Sequence, residues 1–282
     1  MAMDEKGLGK RLQSARRSAG LTQQELCHKA GLSYSTLTKI ERGAIKAPSI
    51  FTIQRIAGAL GTTLDELLGG MITHHAVKSV SKNGIRFVYF DLNGCLVRYG
   101  SRGFTQLAHD SAQSIDVVET VFWKYDSQVC RGEISLDELN TIWAERLGIM
   151  VDWKQYYLNA VDPMPGIKEL VSWTAKHYRC GILSNTMPGF IDALKERTLI
   201  PAVNYDAIID SSVVHALKPE PKIYEIAAEK AGLQPSEILL IDDNRSFLIA
   251  AETAGWRTIW FDSYQPESSI ESIKAALEPV HE

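Results

Sequence analysis

Ile85-Arg-Phe-Val-Tyr-Phe-Asp-Leu-Asn-Gly94 is an apolar run that stops on a carboxylate and then a glycine. Its β-branched and aromatic residues, Ile85–Phe90, read as a short buried strand. Similar runs recur at Tyr178–Leu183, Ala207–Ile209, Ile238–Ile241 and Thr258–Phe261. Helical patterns lie between them at Gly166–His177, Gly189–Arg197, Pro221–Ala231 and Ser246–Ala254. Strand alternating with helix predicts a doubly wound, Rossmann-like α/β domain with a parallel sheet. One stretch breaks the alternation. Residues 97–163 are mostly helical, and Ser135-Leu-Asp-Glu138 is a capping box, so a helical cap insertion is expected there.

Polar clusters follow the expected strand ends, which is where ligands bind in such a sheet. Asp91, fixed at the end of a buried strand, can serve as a nucleophile, and Gly94 lets backbone amides turn toward an anion. Ser184 offers a hydroxyl to a phosphoryl oxygen. Lys218 offers a cation to offset carboxylate and phosphate. Asp242-Asp243 is a carboxylate pair suited to Mg2+. An aspartate after a strand is often only a helix cap. It is the order of the four clusters on successive elements that makes them specific.

In that order the clusters resemble the haloacid dehalogenase (HAD) superfamily over roughly residues 85–262, in the branch with a small helical cap after the first strand. The resemblance implies Asp91 as nucleophile and metal ligand, and Asp243 with Asp242 as further metal ligands. It also implies Ser184 and Lys218 as holders of the phosphoryl group. Two positions depart from the pattern. Phosphatases of this family carry a second aspartate two residues after the nucleophile, where this chain has Asn93. An amide cannot exchange a proton usefully near neutral pH, so acid–base help worth about 10²–10⁴-fold is lost, although the Asn93 backbone carbonyl remains able to bind Mg2+. Phe247 replaces an asparagine often found near the metal.

The first seventy residues have another character. Lys6–Ser18 carries Leu8, Leu12 and Ala15 at helical spacing. Thr22-Gln-Gln-Glu25 is a capping box, Gly31 suits a tight turn, and Ser33 caps a third helix ending near Arg42-Gly43. A fourth helix is expected after Pro48-Ser49 and a fifth after Thr63. The third helix would present Ser33, Tyr34, Ser35, Thr38 and Lys39 to a major groove, with Gln23, Arg42 and Lys46 on phosphates. Leu21 to Ser33 together with Ile40-Glu-Arg-Gly43 resembles the Cro/lambda-repressor-type (XRE) helix-turn-helix family. That resemblance implies binding to double-stranded DNA as a homodimer on a near-palindrome.

The expected division is therefore 1–70 for an all-α helix-turn-helix domain, 71–84 for a linker, and 85–282 for the HAD-like domain with its cap at about 97–163. Charge agrees, with ten Lys and Arg against six Asp and Glu in residues 1–70, and an acidic remainder. The four cysteines, Cys27, Cys95, Cys130 and Cys180, show no metal or disulfide spacing, and His74-His75 reads as linker. No apolar run reaches membrane-spanning length, and no signal core opens the chain, so a cytoplasmic protein without membrane association is expected.

Two functions fit these residues. One is a transcriptional regulator whose HAD-like domain is a weakened module that senses phosphate or a phosphorylated metabolite, or dimerises. The alternative is a Mg2+-dependent phosphatase working through an aspartyl-phosphate. A dehalogenase is permitted by Asn93, but nothing in the cap marks a halide site. Trp123, Trp143, Trp153 and Trp173 fall in amphipathic helices, where packing is expected for most.

Overall fold

The computed structural model describes residues 5–45, 48–62 and 78–279. They belong to two compact units, Met1–Val77 and Lys78–Glu282. The expected fifth helix after Thr63, the His74-His75 pair and Lys46 lie outside the described residues.

The first unit is helical: α1 (Glu5–Ser18), α2 (Gln23–Ala30), α3 (Tyr34–Glu41) and α4 (Ile50–Leu60). The Thr22 and Glu25 side chains cap α2 reciprocally, and Ser33 and Ser49 accept the first free amides of α3 and α4. Leu12, Leu26, Leu37, Ile40, Ile53 and Ile56 close a small core. Gly31, at φ 61°, ends α2, and a Cβ there would meet the Arg55 guanidinium at 2.3 Å.

The second unit is built on a five-stranded parallel sheet: β1 (Phe87–Phe90), β2 (Arg179–Ser184), β3 (Ala207–Asp210), β4 (Ile238–Asp242) and β5 (Arg257–Trp260), in the order β3-β2-β1-β4-β5. Every residue of β1 is buried. Alternation along it sends Phe87 and Tyr89 into one apolar layer and Val88 and Phe90 into the other, so helices cover both faces. The cap consists of α5 (Arg102–Asp110), α6 (Ile115–Cys130), α7 (Leu136–Leu147) and α8 (Trp153–Ala160). An aromatic cluster holds these helices together, with Trp153 stacked on Phe104 at 4.7 Å and Phe122 edge-on to Phe104 at 4.8 Å. The remaining helices are α9 (Ile167–His177), α10 (Phe190–Glu196), α11 (Ser211–Val214), α12 (Pro221–Ala231), α13 (Arg245–Thr253) and α14 (Pro266–Ala276). Neither α11 nor α14 was among the expected helices. Among the described residues, no helix is long and apolar enough to cross a membrane.

Residues 78–84, expected as linker, instead pack on the second unit. Ser79 N–H donates to the His177 carbonyl and Lys82 N–H to that of Glu278, at 2.6 and 3.0 Å, while Ser81 is buried and bridges Pro279. Small polar residues look like a linker, but here their backbone groups are paired with the end of α9 and with the segment after α14.

Among the described residues of the first unit, the most buried charges form one pair. Arg16 donates to both oxygens of Glu41 at 2.7 and 3.1 Å, and Gln23 Nε2 donates to Glu41 at 2.8 Å. Burial alone would raise the Glu41 pKa, but the hydrogen bonds from Arg16 and Gln23 outweigh it and hold it below the usual 4.5. Removing one partner strands the other charge, so Glu41→Ala should destabilise the unit by about 3 kcal/mol. Hydrogen exchange of the α1–α4 amides in the full chain measures this, and a loss under about 1 kcal/mol would contradict it. The depressed pKa also fixes the sign with pH. Stabilisation by the pair is complete above 4.5 and is lost as pH falls through the lower folded value.

Candidate functional site

Both neighbours of β1 run parallel to it, but the chain leaves toward β2 on one side and returns through β4 on the other. The loops after β1 and β4 therefore diverge and open a crevice at the carboxyl ends of the strands. Asp91 begins that crevice. Its backbone N–H still bonds the Ile241 carbonyl at 2.9 Å, so the ladder of β1 fixes the carboxylate-bearing residue. Gly94, at φ 91°, turns the chain beneath Asp243. A Cβ on Gly94 would lie 2.0 Å from Asp243 Oδ2, so the carboxylate occupies the space a side chain would fill. Asp91, Asp243 and Cys95 bring one ligand atom each to within 4.8 Å of one another.

Lys218 joins this group from the loop before α12. Its buried Nζ donates to Asp91 Oδ1 at 2.6 Å and to Asp242 Oδ2 at 2.5 Å. Asn185 positions that loop, since its amide donates to the Lys218 carbonyl and accepts from the Lys218 N–H at 2.9 and 2.8 Å. Burial works against the Lys218 charge, but Asp242 and Asp91 outweigh it and hold the ammonium above its usual pKa. Three carboxylates nevertheless share one ammonium. Burial, opposed by Lys218 and reinforced by Asp242 and Asp243, pushes Asp91 up to about 7. Burial and then Asp242 push Asp243 up to about 6. The pocket carries an excess of negative charge that a further cation would relieve.

A cavity of about 350 Å³ opens above these groups. Asp91, Asn93, Ser184, Asp243 and Phe247 line its floor, and Tyr99, Phe122, Trp123, Asp126, Trp153 and Tyr157 line its cap side. Tyr157 Oη donates to Asn93 Oδ1 at 2.5 Å, so the Asn93 amide oxygen is held toward the cap. The carboxyl end of α6 is tied to the core. Arg131 pairs with Glu220, and the Ser211 hydroxyl lies 2.5 Å from the Cys130 carbonyl.

Some expectations are kept here and others are refined. Asp242, expected beside Asp243 in a metal set, gives one oxygen to Lys218 and the other to the Asn244 N–H at 2.8 Å, so Asp243 is the one that converges with Asp91. Phe247 lies against the lysine, with Nζ 5.0 Å from its ring centre. The buried Cys95 thiol points to the Ile241 carbonyl, and burial holds its pKa well above the usual value. Of the tryptophans, Trp143 is core, whereas Trp123 and Trp153 also reach the cavity. Asp126 was not expected at all. Phe122, Asp126 and Cys130 recur every four residues and so share a face of α6. That spacing is visible in the sequence, but which face meets the sheet is not.

On the helix-turn-helix unit, Tyr34, Ser35, Lys39 and Arg42 are exposed, and Ser33 is exposed while capping α3. Gln23 is engaged within the unit, as its oxygen accepts from Tyr34 Oη at 3.0 Å and its amide donates to Glu41. Thr38 departs from the expected outward face. Its hydroxyl is buried and lacks a hydrogen-bond partner among the described residues.

Residues 12–67 match the helix-turn-helix family, and residues 85–255 match the haloacid dehalogenase-like hydrolases. The immunity repressor protein of Bacillus phage phi105 is 40% identical over 62 residues, covering 22% of this chain and 42% of the repressor. The pyrimidine 5'-nucleotidase YjjG of Escherichia coli is 28% identical over 132 residues, covering 44% of this chain and 58% of that enzyme. The chain thus spans less than two thirds of either curated relative. Among solved structures, a HAD family enzyme of Bacteroides thetaiotaomicron, in complex with magnesium and inorganic phosphate, superposes with a TM-score of 0.51 at 22% identity, covering 63% of this chain and 94% of that one. With the model match extending over more than half its length, this chain belongs to the haloacid dehalogenase-like hydrolase family, and it carries a helix-turn-helix domain ahead of the hydrolase fold.

Proposed function

We propose that the chain is a cytoplasmic, sequence-specific DNA-binding transcriptional regulator, acting as a homodimer. Its HAD-like domain would bind phosphate or a phosphorylated metabolite with Mg2+ and turn it over poorly. The observation that carries this reading is Asn93, which lines the cavity beside Asp91 with its oxygen held by Tyr157. An amide there can fix a ligand, but it cannot protonate a leaving oxygen or activate water. The repressor relative supports the DNA-binding half.

The donor set fits a hard cation. Asp91 and Asp243 bring oxygen atoms together, and their pKa values are raised by burial first and by neighbouring carboxylates after it. Cys95 is a poor partner for such an ion, being a neutral thiol turned to a backbone carbonyl. Asp91, Asp243 and the Asn93 backbone carbonyl would hold Mg2+, which supplies charge neutralisation to bound phosphate. Lys218 fixes Asp91 Oδ1, which leaves Oδ2 for attack at phosphorus. Ser184 would hydrogen-bond a phosphoryl oxygen. What this chain lacks is the proton transfer that follows, so turnover falls more than binding.

Phosphate release from a panel of small phosphomonoesters tests the reading. Native activity should be very low. Asn93→Asp should raise it by about 10²-fold or more, because the new carboxylate keeps the oxygen that Tyr157 bonds. Phe247→Asn is the second repair, and Asp91→Asn in the Asn93→Asp background should abolish the gain. Robust native turnover, lost in Asp91→Asn, would instead make the domain a working phosphatase.

Gly94→Ala tests the metal geometry. The added Cβ would displace the Asp243 carboxylate, and the positive φ adds strain of about 1–3 kcal/mol. The Mg2+ concentration giving half-maximal thermal stabilisation should rise by at least about tenfold. An unchanged titration would remove Asp243 from the metal set.

Selection from random duplex DNA tests the other domain. A near-palindrome with half-sites about one helical turn apart, or a multiple of it, is expected. Lys39→Ala or Ser35→Ala should relax sequence preference. Arg42→Ala should weaken binding to all sequences and lower the salt slope by about one. Absence of any enriched motif and of salt-dependent binding would end the regulator reading.

A further inference from the structure

The cap side of the cavity is more specific than a phosphate site requires. Tyr99 and Trp123 line it while partly exposed, and Phe122 and Trp153 line it while buried. Phe122 and Trp123 meet edge to face at 4.9 Å, and Phe122 and Trp153 are 5.4 Å apart, so these three rings form one wall. Asp126 lies in that wall. The partner found for its carboxylate is the Cys130 thiol, a weak donor at 3.5 Å. None of the described residues lining the cavity is Lys, Arg or His, and Lys218 is spent beneath the floor on Asp91 and Asp242.

We infer that the cap side of this cavity selects phosphomonoesters with a cationic amino-alkyl tail, the ammonium seated between Asp126 and the faces of Trp123 and Tyr99. The inference rests on the reading that the Asp91 end takes the phosphate. A half-buried carboxylate beside aromatic rings is disfavoured unless a positive charge meets it. Burial accordingly holds the Asp126 pKa above the usual carboxylate range. Aromatic faces attract the same cation through their quadrupoles. A tail carrying a carboxylate or a second phosphate would instead meet Asp126 as a like charge. The cavity, at about 350 Å³, lies toward the small end of the range for ligand pockets, as a phosphate on a short tail requires.

Calorimetric titration of the full chain in MgCl2 decides this. The probes are inorganic phosphate, phosphocholine, phosphoethanolamine, uridine 5'-monophosphate, and 3,3-dimethylbutyl phosphate, which is the neutral isostere of phosphocholine. Phosphocholine or phosphoethanolamine should bind at least about tenfold more tightly than the neutral isostere. Asp126→Asn should reduce that ratio to about twofold, and so should Trp123→Ala, a change at an exposed ring that the core does not need. An isostere bound as tightly as the cationic probes would overturn the inference and leave the phosphate site standing. So would uridine 5'-monophosphate binding more tightly than both, which would make the aromatic wall a base-stacking surface. If inorganic phosphate and every ester fail to bind, the phosphate reading falls and the inference falls with it.

Discussion

The second domain is organised around the ammonium of Lys218 between Asp91 and Asp242. A unit charge in a dry interior costs several kcal/mol even after relaxation. Here one cation serves three carboxylates, counting Asp243. At the effective dielectric of a protein, opposite charges about 4 Å apart attract by about 4 kcal/mol. One lysine can therefore hold two carboxylates but leaves the third to find relief elsewhere. A phosphate dianion entering alone would deepen the imbalance. Its binding would be coupled by electrostatics to that of a divalent cation, and this coupling, more than any single contact, is why Mg2+ belongs to the proposed site.

That constraint also explains the local architecture. Asp91 extends the β1 ladder by one hydrogen bond, Asp242 ends β4, and Asn185 after β2 clamps the loop that carries Lys218. Three adjacent strands thus fix the charged groups without relying on long loops. Position 94 must be glycine for Asp243 to sit where it does.

Much of this was legible before any coordinates. A strand buried on both faces is nearly all apolar, so β1 and β4 stood out, and each ended on its carboxylate. The cap was legible as an interruption of the alternation. Other features depended on contacts the sequence does not print. Asp242 and Asp243 are adjacent, yet strand alternation turns one to the lysine and the other to the crevice. Thr38 looked like part of a polar recognition face, but the rotation of α3 encloses its hydroxyl. Ser79, Ser81 and Lys82 had linker composition but are bound to the second unit, because their backbone groups find partners at His177, Glu278 and Pro279. Asp126 was invisible because helical spacing gives a face but not what that face meets.

Asn93 bears on why such a domain would accompany a helix-turn-helix one under the proposed function. An effector shifts an equilibrium only while it is bound, and only by its differential affinity for two states. A phosphatase that consumed its ligand would spend most of its time with the cavity in turnover or empty. Exchanging one carboxyl oxygen for an amide nitrogen changes little in shape. It keeps the acceptor that Tyr157 bonds and leaves Lys218, Ser184 and the aspartates in place. Any loss would fall on proton transfer, a property of the transition state. On the proposed reading ground-state occupancy would survive, and occupancy is the quantity a sensor would report.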